Sequence, residues 1–378
     1  MSQEVEDSAW EHEDDSPFNT PGASAWNAKT FNAFKMSKIK QYGEELILVT
    51  GKDPLPVFSF VPTGDPCLDS LLGGFGENAG WPRGTFIEIA GDESSGKTTL
   101  MYEALANFAK NFPDRGVAFI DMEGNFDAEY ARHLGVPVDE ERFVYALPHN
   151  GKQALTLLDQ LVRSGMFSCV GLDSWAALSP PASADNNAEA GDGAIGWHAL
   201  LSSKVLGRLA TSYKTYDCTV ITSNQLRVNI TPMGARGTIS TGGRAIRYYA
   251  RLRLKILPIP GDGKENLRKV QIVKAQGAAR AEDEVEISIK WGIGLDKVDS
   301  LITMGLAQKH IIAAGAWLQI PALNVKVQGR NNLAESIRGD QTVRDGLCGL
   351  LGIPKFEARY PLVRKRKISF AEETEAAE

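Results

Sequence analysis

The sequence predicts an α/β protein built on one mostly parallel, twisted sheet. A small helix-plus-strand unit stands ahead of it and a small α/β domain behind. Three observations predict this. Apolar strand-like runs alternate with helical patterns from about residue 58 to 293, which is the signature of a covered parallel sheet. A glycine-rich loop lies between one such run and one such helix. The 378 residues, 43% apolar, suffice for one large domain with small appendages.

In chain order, residues 1–28 carry seven Asp/Glu and no Lys or Arg, and read as an acidic, disordered tail. Residues 29–57 hold a helical pattern over 29–42 and an apolar run, Glu45–Thr50. This unit is too small to bury a core of its own, so it must pack on its own domain or on a neighbouring subunit. The core spans 58–294, with strand-like runs at 117–120, 143–146, 169–172, 219–222, 252–257, 269–274 and 285–290. The last of these lack intervening helices. Two long connections, 180–196 and 227–243, are rich in Gly, Ala, Asn, Thr and Pro and read as functional loops. Residues 295–370 change to short helices around a Gly/Asn-rich break at 328–332, and 371–378 form a second acidic tail.

The net charge of −6 conceals an asymmetry: with both tails set aside, the body holds all 41 Lys/Arg and is net positive. That suits a nucleic-acid binder with competing tails, and equally a protein whose tails only aid solubility. The four cysteines have no paired spacing, and Cys169 and Cys218 read as buried thiols. No apolar run nears the ~20 residues of a membrane span, and the acidic N-terminus is unlike a signal peptide. A cytoplasmic protein without a membrane partner is expected.

The most informative stretch is Gly91-Asp92-Glu93-Ser94-Ser95-Gly96-Lys97-Thr98, followed by Thr99. It has the G-x-x-x-x-G-K-T spacing of a phosphate-binding loop. Its glycines let backbone N–H groups turn toward phosphate oxygens, and the following helix N-terminus adds positive potential. Lys97 can reach the β- and γ-phosphates, and the Thr98 hydroxyl can ligate Mg²⁺. Asp173 ends the apolar run Phe167–Leu172 and suits the same metal shell. Glu123 lies just past another run. A carboxylate there can orient or deprotonate water, with Asp121 a competitor on the same face. Asn224 and Gln225 end a further run and lead into the second long connection, which holds Arg227, Arg236, Arg244 and Arg247. Arginines there suit nucleic-acid backbone contact.

Together these motifs resemble RecA-type homologous-recombination ATPases, from about residue 43 to 320. The resemblance rests on the phosphate loop through Thr99; Phe119-Ile-Asp-Met-Glu123 with Asp127-Ala-Glu-Tyr130; Leu172-Asp-Ser-Trp175; Asn224-Gln-Leu-Arg227; Ser240-Thr241-Gly242-Gly243; and Ala314-Gly-Ala-Trp317. It implies a RecA-type core that binds ATP and Mg²⁺. Glu123 would position the attacking water, Asp127 and Tyr130 would hold adenine, and Gln225 would sense the γ-phosphate. Loops 180–196 and 227–243 would hold DNA, and 29–50 would dock on the next subunit. The pair that faces a neighbour's nucleotide in bacterial members reads Lys274-Ala-Gln276 here, so that contact would rest on Lys274. Lys204 and Arg208 follow the first loop where the family differs, and Met233 stands where an aromatic is common. These departures mark a divergent, specialised member, such as a viral one.

The expected function is a DNA-dependent ATPase that forms filaments on single-stranded DNA and exchanges strands with homologous duplex. Single-strand-binding or mediator proteins are expected as partners. The rivals are a RecA-core mediator without strand exchange and a hexameric helicase motor; a small-molecule kinase fits least.

Overall fold

The structure is a computed structural model that describes residues 28–42, 59–75, 80–178, 192–230, 236–240, 243–261, 266–275, 283–354, 356 and 360. Side chains at 192–202, 227–230, 236–240 and 243–244 are outside that description. The chain divides into two compact units, 1–57 and 58–378. In the first, the expected helix is present as α1 (Ala28–Tyr42). Within it Lys38 donates to Gln41 at 2.9 Å and lies over the Phe34 ring. The run Glu45–Thr50 lies outside the described residues.

The second unit is organised by β3 (Phe86–Gly91), whose every residue is buried. It pairs in parallel with β7 (Thr219–Ile230) on one side and β9 (Leu252–Pro258) on the other. Beyond β7 come β6 (Phe167–Asp173), β4 (Gly116–Asp121) and β5 (Phe143–Ala146), all parallel. Beyond β9 the strands β10 (Leu267–Lys274), β11 (Glu284–Lys290) and β12 (Gly294–Leu295) are antiparallel. This mostly parallel α/β sheet is the expected fold class. The change in direction follows from the connections: short links join β9 to β12, and only antiparallel neighbours can be joined that way.

Alternation divides the sheet's side chains between two layers. Ile87, Ile89, Val117, Phe119, Cys169 and Ile221 pack with Leu100, Met101, Leu105 and Phe108 of α3 (Lys97–Asn111). Phe86, Ala118, Ile120, Val170, Leu172 and Val220 face the other way. They meet Leu155 and Leu158 of α5 (Gly151–Arg163), Leu206 and Leu209 of α6 (Asp192–Thr215), and Ile246 of α7 (Gly243–Tyr249). Strands buried on both faces explain the continuous apolar runs in the sequence. All four cysteines are free and buried.

Both long connections differ from the expected loops. Helix α6 begins at Asp192, inside the stretch read as loop through 196; residues 179–191 are outside the description. The stretch 227–243 holds two paired strands rather than loop alone. Strand β7 runs on to Ile230 and pairs antiparallel with β8 (Arg236–Ser240), Arg227 opposite Ile239 and Ile230 opposite Arg236. Val228, Ile230 and Ile239 supply β-branched residues to this pair.

Behind the sheet, α8 (Lys297–Ala307) leads to a three-stranded antiparallel sheet: β13 (Ile312–Ala314), β14 (Trp317–Ile320) and β15 (Val325–Gln328). The sequence reading expected a small α/β domain here but located none of its strands. Helices α9 (Arg330–Gly339) and α10 (Gln341–Leu350) follow. Their Leu333, Ile337 and Leu347 join the apolar cluster that contains α3. Among the described residues no helix is long and apolar enough to cross a membrane.

The junction is fixed at Asp296, only 3% exposed. Its carboxylate caps α8 through the Asp299 N–H at 3.2 Å, and accepts from Lys290 at 2.6 Å and Arg338 at 2.6 Å. Burial acts to raise this carboxyl, but the bond from Lys290 and the charge of Arg338 prevail and hold it below the usual range. Asp296→Ala should therefore cost about 2–4 kcal/mol, a lost cap plus lost charge-assisted hydrogen bonds. Urea unfolding measures the loss, and nucleotide affinity should stay unchanged.

Candidate functional site

Parallel strands deliver their C-terminal ends to one edge of the sheet, and the chemistry gathers there. Leaving β3, the chain turns through residues 91–96 into α3. Ser94 and Gly96 have left-handed backbones, φ 55° and 98°. Gly96 is needed twice over: a Cβ there would also fall 2.3 Å from Ile289 Cδ1. Gly91 is needed for space, since its Cβ would lie 2.5 Å from Ser95 Oγ and 2.8 Å from the Ile256 carbonyl oxygen. Gly96 caps α3 without a side-chain hydrogen bond, so the first-turn N–H groups of α3 are open to an anion.

Lys97 folds back over the loop and donates to the carbonyls of Gly91 (3.1 Å) and Asp92 (2.6 Å). Burial pushes its ammonium below the usual range, against the carboxylates of Asp173, Glu123, Asp92 and Glu93 around it. Thr98 Oγ1 donates to Asp173 Oδ2 at 2.7 Å, and Ser223 donates to the other oxygen, Asp173 Oδ1. Burial pushes the Asp173 carboxyl up, the bonds from Ser223 and Thr98 oppose it, and Glu123 and Asp121 reinforce it. A hydroxyl and a carboxylate in contact, at the mouth of an anion cradle, form an oxygen donor set suited to Mg²⁺.

The two carboxylates past β4 have different environments. Asp121 is buried and accepts four bonds: the N–H groups of Glu123 (2.9 Å), Gly124 (2.7 Å) and Phe126 (3.0 Å), and the Tyr145 hydroxyl (3.2 Å). It anchors the turn. Glu123 is exposed, and its Oε1 accepts from Ser174 at 2.5 Å. It is the carboxylate free to meet water.

That turn leads to Asp127, the N-cap of α4 (Ala128–His133), whose Oδ1 accepts the Tyr130 N–H at 2.9 Å. Tyr130 and Thr99 hydroxyls lie 3.3 Å apart. Tyr102, Phe119 and Phe126 form an aromatic cluster beneath, with Phe126 stacked on Tyr145 at 4.9 Å. Ser94 to Thr99, Asp127 and Tyr130 line a cavity of about 360 Å³. Its far wall was missed by sequence reasoning: Arg268 and Ile289 on the antiparallel strands β10 and β11, with Asn266, Trp291 and Gly292 in the turns at their ends. Arg268 Nε donates to the Ser95 carbonyl at 3.2 Å and Nη2 to that of Ser94 at 3.3 Å, steadying the loop from outside. Trp291 is 76% exposed, an unusual state for an indole outside a binding surface.

Gln225 is half-buried and sits opposite Gly91 in the β3–β7 register, so the end of β7 and the start of the phosphate loop are neighbours. Lys274 lies further off, its Nζ donating to the Arg247 and Tyr248 carbonyls at the end of α7, both at 2.8 Å. Lys204 is exposed on α6. On the same helix Arg208 donates to Asp159 at 2.7 Å. Arg227 and Arg236 sit on the two hairpin strands, and Gly243 and Arg244 open α7. Met233, Thr241, Gly242 and Gln276 are outside the described residues.

A doubly covered parallel sheet with this loop, metal donor pair and carboxylate defines a P-loop nucleotide-binding protein. The chain matches the RecA N-terminal domain over residues 31–296 and belongs to the RecA family. It is 38% identical to the protein RecA of Streptomyces avermitilis over 283 residues, 74% of this chain and 72% of that one. It is 36% identical to those of Cutibacterium acnes (310 residues; 80% and 85%) and Acinetobacter baumannii (300 residues; 78% and 82%).

Trp291→Ala should weaken binding of adenine nucleotides by about 1–3 kcal/mol, roughly 5- to 150-fold, if the indole covers the base. Equilibrium titration with a fluorescent ATP analogue measures it; unchanged affinity would remove Trp291 from the base site.

Proposed function

We propose that this chain is a DNA-dependent ATPase that polymerises on single-stranded DNA and promotes homologous pairing and strand exchange, acting in the cytoplasm. One observation carries the nucleotide half: the open α3 N-terminus, Lys97 and Thr98 line a single cavity, and Thr98 also bonds the Asp173 carboxylate. Thr98 and Asp173 would hold Mg²⁺, which when bound neutralises charge on the β- and γ-phosphates. Residues 91–99 would cradle the phosphates, with Lys97 exchanging its loop carbonyls for phosphate oxygens. Tyr130 and Asp127, facing Trp291, would hold the base. Glu123 would orient water toward the γ-phosphate, a role its exposure favours over the fully bonded Asp121.

The nucleic-acid half rests on the hairpin β7–β8 and the start of α7. Their arginines 227, 236 and 244, with Thr241–Gly243, would meet the DNA backbone, and base pairing rather than protein contact would read sequence. Met233 and α6, with Lys204 and Arg208, would flank that surface. Residues 29–57 would dock on the next subunit, whose nucleotide would meet Lys274. Residues 295–370 would form the appended domain, and the tails 1–28 and 371–378 would repel duplex. Single-strand-binding or mediator proteins would act as partners. Family membership and 36–38% identity over most of the chain support this reading.

Lys97→Ala should abolish nucleotide-dependent activity. Glu123→Gln should retain ATP binding and lower the hydrolysis rate by about 10²–10⁴. ATPase rates titrated with single-stranded DNA, with D-loop formation alongside, test the whole reading; a rate indifferent to DNA would reject it. Neutralising Arg227 or Arg236 should weaken binding of every sequence alike and flatten the log-log salt dependence by about 0.7 per lost phosphate contact on single strands. An unchanged slope would take that arginine off the DNA.

A further inference from the structure

Glu88 is a charged residue in the middle of a strand buried along its whole length, with 0% exposure. Buried carboxylates persist where they are fully paired. Here the pairing is divided between two strands. Oε1 accepts from Asn224 Nδ2 of β7 at 2.7 Å, and Oε2 accepts from Arg253 Nε of β9 at 2.6 Å. Asn224 is itself wholly buried, and its Oδ1 accepts the Gln225 N–H at 2.9 Å. Glu88 thus sets the Asn224 amide, and the amide sets the backbone at Gln225.

The placement of these partners in the chain gives the arrangement its meaning. Asn224 immediately precedes the hairpin of β7 and β8; Arg253 follows α7, which closes the same segment. Both ends of the stretch 225–252 are therefore tied to one carboxylate. That carboxylate sits three residues before Gly91, on the strand that becomes the phosphate loop. A shift of β3 against its neighbours would move both ends of the hairpin segment together.

We propose that Glu88 is a positioning residue that couples nucleotide occupancy of the phosphate loop to the conformation of the hairpin segment 225–252. It contacts neither ligand. The proposal deepens the DNA-dependent ATPase reading and rests on it for the identity of the ligands.

Glu88→Gln has nearly the same shape but the wrong chemistry. Both partners are donors, and a glutamine amide turns its own NH₂ toward one of them. The variant should keep basal kcat and the KM for ATP within about twofold, while stimulation by single-stranded DNA falls about tenfold, within the usual range of coupling energies. Hydrogen exchange supplies a readout that needs no DNA. A non-hydrolysable ATP analogue should change the protection of the 226–240 amides in the wild type and leave it unchanged in the variant. Where loss of the ion pair with Arg253 prevents folding, Glu88→Gln with Arg253→Met removes both charges and should fold, bind ATP and remain uncoupled.

A folded variant with wild-type stimulation and exchange response overturns the proposal. A proportional fall in basal and stimulated rates does so too, since it marks a structural role only. A wild type that DNA does not stimulate, yet whose hairpin amides respond to nucleotide through Glu88, would instead overturn the ligand assignment and leave the coupling standing.

Discussion

The register of β3 against β7 is the constraint on which the site depends. Phe86 pairs with Val220 and, five residues on, Gly91 pairs with Gln225, without a bulge between them. Because the strands are parallel, the loop that turns into α3 and the polar residues that end β7 leave the sheet side by side. The next neighbour in that direction, β6, ends at Asp173, and β4 beyond it ends at Asp121. Four segments far apart in sequence thus reach one edge of the sheet. A slip of one residue in any strand would exchange its two faces. It would turn Glu88 from Asn224 and Arg253 into the apolar layer against α3, a costly result for a charge.

Polar burial reinforces that constraint. Asp121 is surrounded by donors and spends its bonding capacity on the turn 122–126. Asp173 is held from two sides by Thr98 and Ser223, which joins the first turn of α3 to β7 through one carboxylate. Glu88 joins β7 to β9 in the same manner. The three acids look alike in sequence, each in or at the end of an apolar run. Their partners separate an anchor, an acceptor shared by two hydroxyls and a cross-strand tie from the exposed Glu123.

The legible parts of the sequence were those with local causes. A run buried on both faces is continuous in apolar residues, so β4, β6 and the start of β7 could be read directly. The phosphate loop declares itself because left-handed φ and close approach admit little but glycine at 91 and 96. What was hidden has distant or weak causes. Glu88 lies 136 residues from Asn224 and 165 from Arg253, so nothing near it marks it as a tie. The far wall of the cavity, with Arg268 and Trp291, comes from strands whose local pattern is only that of an antiparallel ribbon. The hairpin 227–240 and the sheet 312–328 are short strands among Gly, Pro, Asn and Ala, and cross-strand pairing rather than propensity decides them.

Charge at the cavity adds a last physical consequence. Lys97 stands among the carboxylates of Asp173, Glu123, Asp92 and Glu93, with Arg268 on the loop's other side, so the acids outnumber the bases around a loop shaped for a polyanion. With a triphosphate alone, the first-turn N–H groups of α3 would attract while the carboxylates repelled. The Thr98–Asp173 pair resolves the conflict, because a divalent cation placed there converts the nearest carboxylate from a source of repulsion into a ligand. With Thr98 and Asp173 both turned to the cation, the Ser223 hydroxyl that now bonds Asp173 would be the partner left to respond. Ser223 stands one residue before Asn224 and two before Gln225. The arrival of a metal–nucleotide complex would therefore be felt first on β7, the strand that continues unbroken into the hairpin.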